Sequence, residues 1–553
     1  MSYDSMSQTV QSNSYSIMER PIVIVKQGKL QGIFEDNVLG SRYLAFKGIP
    51  FAAPPVGELR FKDPEPPASW EGIRDASRNA GDVCIQLQAL PILAVIGGED
   101  CLYLNVYISY NIHRTTGNPV MVWIHGGTYV VGSGNDTSQR PDYFMTKDVI
   151  LVSINYRLGA LGFLNVGHEV ASGNQGLKDQ AAALKWIKEN IESFGGDPNN
   201  ITIFGNSAGG FSVHLLMVSP LSKGLFNKAI LQSGTCFWGL TENREAIANA
   251  FKLASILGND SKDPMEVVDF LKTLPAAEIV NAQFEVLTPK EARISHIWFG
   301  PTIDEKAKRP FLPCPLSQLL DDDNDIPIMI GHNSHEYIMF LRNTSEKALK
   351  TISADLYLYI KKSTNLQDSK TITRLTQQVK QHYFHNKPFT KESIPSIIQC
   401  LSDLYFCIPV KNFVNNRRKK KQAPIYFYNF SYVGNEMTLT KLMSNNLCMI
   451  GASHTDEVAY LFYEPQCKVN DPNPPAIGTK DREVLEILTK MWTNFAKTGN
   501  PTPVIDEYVT TIWLPATAHS FNYLDIGDTL QLLTITDHNI IFGDLELQEL
   551  HKL

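Results

Sequence analysis

Between Ile201 and Gly210 the chain reads Ile-Thr-Ile-Phe-Gly-Asn-Ser-Ala-Gly-Gly: a short apolar strand, then Gly-x-Ser-x-Gly, then a helix-forming run from Phe211 to Met217. A strand that turns directly into a helix brings two backbone segments so close that no Cβ fits where they cross, and Gly205 and Gly209 occupy those places. Ser207, at the apex, is forced into a sharp, strained turn with its hydroxyl standing clear at the strand end. The helix behind it adds the positive end of its dipole and a free N–H from Ala208, which suits a developing oxyanion. A glycine-rich βα turn with an incidental serine is written in the same letters. The rest of the chain has to decide between the two.

The surrounding pattern is α/β. Apolar strands are predicted at Leu102–Ile108, Val120–Ile124, Val149–Asn155, Ile201–Phe204, Ala229–Ser233, Ile326–Gly331 and Pro424–Phe430. Leu177, Ala181, Leu184, Ile187 and Ile191 recur at helical spacing before Gly195-Gly196, and Asp481–Lys497 is a second amphipathic helix. Strands alternating with helices imply a large, mostly parallel central sheet flanked by helices, with ligands beyond the carboxyl ends of the strands. Residues 1–20, rich in Ser, Gln, Asn and Tyr, read as a disordered tail, and 21–550 as one domain. Lid or subdomain segments fall around 242–300 and 350–415. The proline-dense stretch Ile49–Pro67 fits neither a helix nor a central strand and reads as an ordered surface wrap.

Composition narrows the classes. A net charge of −7 over 553 residues, with 19% charged and 43% hydrophobic residues, offers no basic domain for nucleic acid. No run of about 18 apolar residues marks a transmembrane helix, and the first 20 residues lack a secretory apolar core. The terminal His551-Lys552-Leu553 departs from the peroxisomal signal at its first residue. The eight cysteines show no C-x-x-C or C-x-x-H spacing, so no zinc is expected, and the reading reached below implies no metal and no cofactor. Arg417 to Lys421 is read as a solvated helix end, and Asp321 to Asp325 as a polar loop lacking the glycine and distal glutamate of a calcium hand.

A serine hydroxyl needs a base to take its proton, usually a histidine oriented by a carboxylate. In sheets of this type the chain order is Ser, then acid, then His. Ile326–Gly331 delivers Asn333-Ser334-His335-Glu336 to a strand end, which makes Glu336 the candidate acid; a surface-loop glutamate reads equally well there. Histidines 382, 385, 454, 519, 538 and 551 follow it. His454 sits among small residues in Gly451-Ala452-Ser453-His454 and is the candidate base, with a structural histidine as the alternative. His125-Gly126-Gly127-Thr128, after an early strand, is a glycine-rich loop able to aim backbone N–H groups at an oxyanion together with Ala208.

With these pieces in order, the chain resembles the carboxylesterase/cholinesterase (type-B carboxylesterase) family of the α/β-hydrolase fold over nearly its whole length. The likeness is carried by Phe46-Lys47-Gly48-Ile49-Pro50-Phe51-Ala52-Ala53-Pro54-Pro55, Glu99-Asp100-Cys101-Leu102-Tyr103-Leu104-Asn105-Val106, Asn155-Tyr156-Arg157-Leu158-Gly159, Phe194-Gly195-Gly196-Asp197-Pro198, Phe204 to Gly209, Gly451 to His454, and Trp492 to Pro501. The resemblance implies Ser207 as nucleophile, Glu336 as triad acid and His454 as base. It implies Gly127, Thr128 and Ala208 as oxyanion donors, a Cys84–Cys101 disulfide, and an ion pair between Arg157 and Asp179. The activity implied is hydrolysis of a small to medium apolar carboxylic ester by a monomer or homodimer, with no cofactor.

Four departures qualify this. Asn206 stands where the family has glutamate before its serine, and Thr128 where it has a third glycine. No aromatic lies between Ile85 and Asp100, so the tryptophan that binds quaternary ammonium in cholinesterases has no counterpart and choline esters are not expected. The region of the family's second disulfide, around Leu257 to Phe270, has no cysteine. With no leader visible, the sequence points to the cytoplasm, where Cys84 and Cys101 are expected to stay reduced and the sequons at Asn135, Asn200, Asn259, Asn343 and Asn429 to carry nothing. Two competing readings are a catalytically silent adhesion or scaffold protein, as in the neuroligins, and a stoichiometric binder of acylating or organophosphate toxins. Three filled triad positions argue against the first.

Overall fold

A computed structural model describes residues 20–535 apart from 80, 82, 89–92, 114, 237–242, 321–323, 342–343, 365 and 445–449. The expectations for the tail 1–19, for Asp321–Asp323, for Asn343 and for the last three residues lie outside the described residues.

The chain builds an eleven-stranded sheet from β1 (Ile33–Asp36), β2 (Arg42–Pro50), β3 (Tyr103–Ser109), β4 (Asn118–Ile124), β5 (Ile150–Ile154), β6 (Gly196–Asn206), β7 (Lys228–Gln232), β8 (Ile328–Asn333), β9 (Ile425–Phe430), β10 (Phe521–Ile526) and β11 (Leu530–Ile535). Their order across the sheet is β11-β10-β9-β8-β7-β6-β4-β5-β3-β2-β1. Every pairing from β10 through to β5 is parallel, and the two margins are antiparallel. The central strands are buried on both faces, which is why their sequences read as near-continuous apolar runs. Alternation still sorts them: Val120, Val122 and Ile124 of β4 join the core on one side, while Met121 and Trp123 join the core on the other.

Two helices on these cores fix the site. α1 (Gln175–Asn190) buries Leu177, Leu184 and Ile187 and passes through a 3₁₀ turn to Gly195, which ends it in the left-handed region at φ 85°. α2 (Ala208–Val218) begins at the residue after Ser207 and is buried along its whole length. The chain leaves β4 for β5 on one side and returns to β6 on the other. That reversal opens a crevice at the carboxyl ends of β4 and β6, where sheets of this kind bind their ligands. His125 to Thr128 follow β4 and Ser207 follows β6, so both motifs meet at this crevice.

Beyond the sheet, α3 (Glu346–Thr364), α4 (Ser369–Phe384), α5 (Ile394–Ser402) and α6 (Ile408–Lys420) make up most of 346–420. A π turn, Asp403–Cys407, joins α5 to α6. Pro409 has no N–H to return to that turn, so the wider hydrogen-bonding pattern ahead of it loses nothing. By length and composition Lys391–Lys420 is apolar enough to cross a bilayer, yet 67% of its most apolar window is buried inside the protein. Its end also corrects an expectation. Arg417 and Arg418 are not solvated: Arg417 donates to the carbonyl oxygens of Asn324 (2.7 Å) and Ile326 (3.1 Å), and Arg418 to that of Thr517 (2.7 Å). They close the last turn onto the sheet, as arginines can when several carbonyls converge.

A second correction concerns the compartment. Cys84 and Cys101 form a disulfide, closing a loop that carries a small hairpin, Gln86–Gln88 against Ala94–Ile96. Disulfides persist in oxidising surroundings and are rare in the cytosol. The bond is the one the resemblance implied; it fits an extracellular protein and overturns the cytoplasmic setting, and with it the expectation of reduced cysteines, because spacing alone cannot report redox state. Arg157 and Asp179 form a buried bidentate pair, Nε at 2.8 Å and Nη2 at 2.7 Å from the two carboxylate oxygens, as the resemblance implied.

Candidate active site

Ser207 adopts φ 57°, ψ −124°, a strained conformation that few non-glycine residues take. Its backbone N–H donates to Gln232 O of β7 (2.9 Å) and its carbonyl accepts Phe211 N (2.9 Å), so the turn is held at both ends. A Cβ on Gly205 would stand 2.5 Å from Ile124 O, and one on Gly209 would overlap the same oxygen more deeply. The two glycines are therefore a packing requirement against β4. The first N–H groups of α2, including that of Ala208, have no acceptor within the helix.

The loop after β4 lies directly against this turn. A Cβ on Gly126 would come within 2.6 Å of Asn206 O and 3.1 Å of Ser207 Cβ. Gly127, Thr128 and Tyr129 all have positive φ (108°, 52° and 61°), which turns successive N–H groups toward one side. For a β-branched threonine that conformation is strained. His125 anchors the loop: its ring stacks on Tyr156 at 4.4 Å, Nδ1 donates to Gly126 O (2.8 Å), and Tyr156 Oη donates to His125 O (2.8 Å). Burial lowers its pKa to about 4, so the ring is neutral at physiological pH.

Glu336 and His454 come together although 118 residues separate them. His454 Nδ1 lies 2.5 Å from Glu336 Oε2, and the backbone repeats the pairing, His454 N donating to Glu336 O at 3.3 Å. Glu336 Oε1 accepts Asn333 N (2.7 Å), so both carboxylate oxygens are engaged. With Nδ1–H committed to the carboxylate, Nε2 is the basic nitrogen; it is buried and makes no hydrogen bond among the described residues. The imidazole is walled by Phe406 (4.8 Å) and Phe340 (5.3 Å), which stack on each other at 5.9 Å. Phe406 comes from the π turn and Phe340 from the 3₁₀ turn that starts at Glu336.

The serine turn and the histidine loop are tied through Asn206, read above as a departure from the family, and through Glu457, which the motif reading did not weigh. Asn206 Nδ2 donates to Glu457 Oε1 at 2.7 Å, and Glu457 lies three residues beyond His454. Asn333 Nδ2 donates both to Ser453 O (2.5 Å) and to Glu457 Oε2 (2.6 Å), linking the end of β8 to the same loop. Ser207 is 8% exposed, His454 2% and Glu336 0%, so whatever chemistry occurs here is screened from bulk water. Glu457, Gln232, Phe340 and Phe406 were not on the sequence list. A buried strand ending in an amide was the one signal available, and three strands show it. The remaining late histidines that are described, His382, His385 and His519, lie outside this cluster.

The family model described as the carboxylesterase family matches residues 19–540. Among relatives, Esterase E4 of Myzus persicae is 34% identical over 514 residues, covering 90% of this chain and 89% of its own. A juvenile hormone esterase of Tribolium castaneum is 36% identical over 522 residues, 87% of this chain and 84% of its own. The crystal structure of juvenile hormone esterase from Manduca sexta, with OTFP covalently attached, superposes with a TM-score of 0.85 at 28% identity, covering 97% of this chain and all of the other. The chain thus has the α/β-hydrolase fold, belongs to the carboxylesterase family and is a carboxylic ester hydrolase.

Proposed function

We propose that hydrolysis proceeds through an acyl-enzyme on Ser207, with His454 as base and Glu336 as the acid that orients it. The observation that carries this reading is the 2.5 Å Glu336–His454 pair, which commits Nδ1 to the carboxylate and leaves Nε2 without a hydrogen bond among the described residues. Ser207 Oγ attacks the ester carbonyl carbon while Nε2 takes its proton. The negative charge that develops on the carbonyl oxygen is met by N–H groups of Gly127, Thr128 and Ala208. The C–O bond to the alcohol then breaks, and His454 returns the proton to the leaving oxygen. Water repeats the sequence on the acyl-serine, releasing the acid and restoring Ser207.

Phe340 and Phe406 favour an apolar acyl or alcohol group next to the imidazole, which suits the small to medium apolar esters expected of this chain. The names of the beetle and moth relatives, juvenile hormone esterases, are consistent with that class.

The test is labelling with a fluorophosphonate probe, peptide mapping, and assay of Ser207→Ala on an aryl ester. Label is expected on Ser207, and loss of rate in the variant of about 10⁴-fold or more. Retention of most of the activity would sink the assignment.

A further inference from the structure

The described sequons, at Asn135, Asn200, Asn259 and Asn429, are alike as strings and differ in what the fold does with the amide. An asparagine-linked sugar is bulky and is joined to Nδ2, so it needs that nitrogen free and open space beside it. Three of the four are committed elsewhere. Asn429 lies inside β9 between β8 and β10, and its Nδ2 donates to Asp525 Oδ1 at 2.6 Å. Asn200 is in β6, where its Oδ1 accepts from the buried Lys228 of β7. Asn135 follows Gly134, at which even a Cβ would stand 2.7 Å from Ile154 O. The residue after it, Asp136, is bound by Lys47 (2.9 Å) and Asn79 (2.7 Å).

Asn259 stands in the turn between the helices Asn243–Ile256 and Pro264–Thr273. Its neighbours Gly258 and Asp260 are exposed, and a Cβ on Gly258 would meet nothing within 4 Å. The turn closes without using the amide nitrogen. Gly258 N donates to Ser255 O (3.1 Å) and Asn259 N to Ala254 O (2.8 Å). Ser255 Oγ donates to Asp260 Oδ1 (2.5 Å), and Ser261 Oγ to Glu266 Oε2 (2.7 Å). Asn259 Oδ1 accepts Ser261 N at 2.9 Å, the asparagine turn in which a side-chain oxygen stands in for a backbone carbonyl. That bond fixes the amide by its oxygen and leaves Nδ2 with no hydrogen bond among the described residues. Glycosylation consumes neither Oδ1 nor the Ser261 N–H, so the turn keeps its shape when modified.

We propose that Asn259 is an N-glycosylation site, carrying an oligosaccharide of the asparagine-linked class. The oxidising surroundings that fit the Cys84–Cys101 bond are those of the secretory pathway, where such sugars are attached. The donor is a lipid-linked oligosaccharide pyrophosphate. Nδ2 bonds to the anomeric carbon of the first sugar, and the bond from that carbon to the pyrophosphate oxygen breaks. The lipid pyrophosphate leaves with the electron pair, and the amide gives up one of its two protons. Occupancy of Asn259 is independent of the chemistry at Ser207.

The test is site mapping on the full chain, secreted from eukaryotic cells behind a leader peptide. Release with peptide N-glycosidase in heavy-oxygen water turns each occupied asparagine into a heavy aspartate, read by mass spectrometry of tryptic peptides. The heavy label is expected at position 259, with unmodified asparagine at 200 and 429. Asn259→Gln and Ser261→Ala should each lose the label, Ser261→Thr should keep it, and aryl-ester hydrolysis should be unchanged in all three. Unmodified Asn259 in the folded, secreted protein overturns the proposal. A label at 200 or 429 overturns it as well, because the commitments of those amides then fail to select among the sequons. Label that survives in Ser261→Ala has the same force, since it marks deamidation and not a glycan.

Discussion

Ser207 holds a positive φ because Gly205 and Gly209 let β6 and α2 press against β4 at the same point. The motif is thus a statement about contact as much as about chemistry. Adding one methyl group tests it. In Gly209→Ala the new Cβ runs into the Ile124 carbonyl oxygen, a backbone atom inside a parallel strand that cannot swing aside. The expected cost is at least that of overpacking a rigid core, about 3 kcal/mol, and activity should fall with it because Ser207 is displaced. A thermal midpoint within error of wild type would show that α2 has room to shift. Ser207 and its glycines were legible in the sequence because the signal is local and strongly constrained. Glu336 was only half legible: a glutamate after a strand is common, and what distinguishes this one is a partner 118 residues away.

The stretch that follows His454 holds several buried carboxyl groups. The 3₁₀ turn Asp456–Tyr460 includes Asp456 and Glu457, and Glu464 follows shortly after, all buried. Burial raises Asp456 to about 6 and Glu464 to about 7. For Glu464 the sign is unambiguous. Its pKa is near 4.5 in the unfolded chain and about 7 in the folded one, so the folded state retains a proton that the unfolded state has released. Its favourable contribution is complete below about 4.5 and is lost as pH rises through about 7. At roughly 1.4 kcal/mol per pKa unit the loss is on the order of 3 kcal/mol. Glu464→Gln removes the titration. Its thermal midpoint relative to wild type should therefore rise between pH 5 and pH 8. A difference that is flat over that range would mean that Glu464 ionises freely. None of this was legible in the string from Asp456 to Glu464, where buried and exposed carboxyl groups are written alike.

For the whole molecule, the same sheet that buries its strands on both faces also decides which loops must be tied down. Among the described residues the segment between β2 and β3 has only short elements, and Cys84–Cys101 closes part of it with a sequence separation of 17. Closing a loop of that length stabilises the fold by about 3 kcal/mol through the entropy it removes from the unfolded chain. The double variant Cys84→Ser, Cys101→Ser should melt at lower temperature than the oxidised protein, and treating wild type with a reductant should reproduce the shift. Identical melting in all three samples would mean that the bond contributes nothing. The disulfide also reverses the cellular setting expected from the chain's opening residues, so compartment no longer excludes modification at the sequons.

The amino-acid sequence alone determined the class of this protein. Periodicity set a parallel α/β sheet, Gly-x-Ser-x-Gly set the sharp turn, and the order of Ser207, Glu336 and His454 set a plausible set of catalytic partners. These features are local, or repeat along the chain, and hydrophobic burial and backbone sterics enforce them wherever they occur. Tertiary structure decided the rest. It brought Glu336 to His454, turned three strand-end amides onto Glu457, put Phe340 and Phe406 around the imidazole, buried Arg417 and Arg418, and oxidised Cys84 with Cys101. Each of those outcomes depends on a partner far away in the chain and on how much water the fold excludes between them, and no window of sequence contains either quantity.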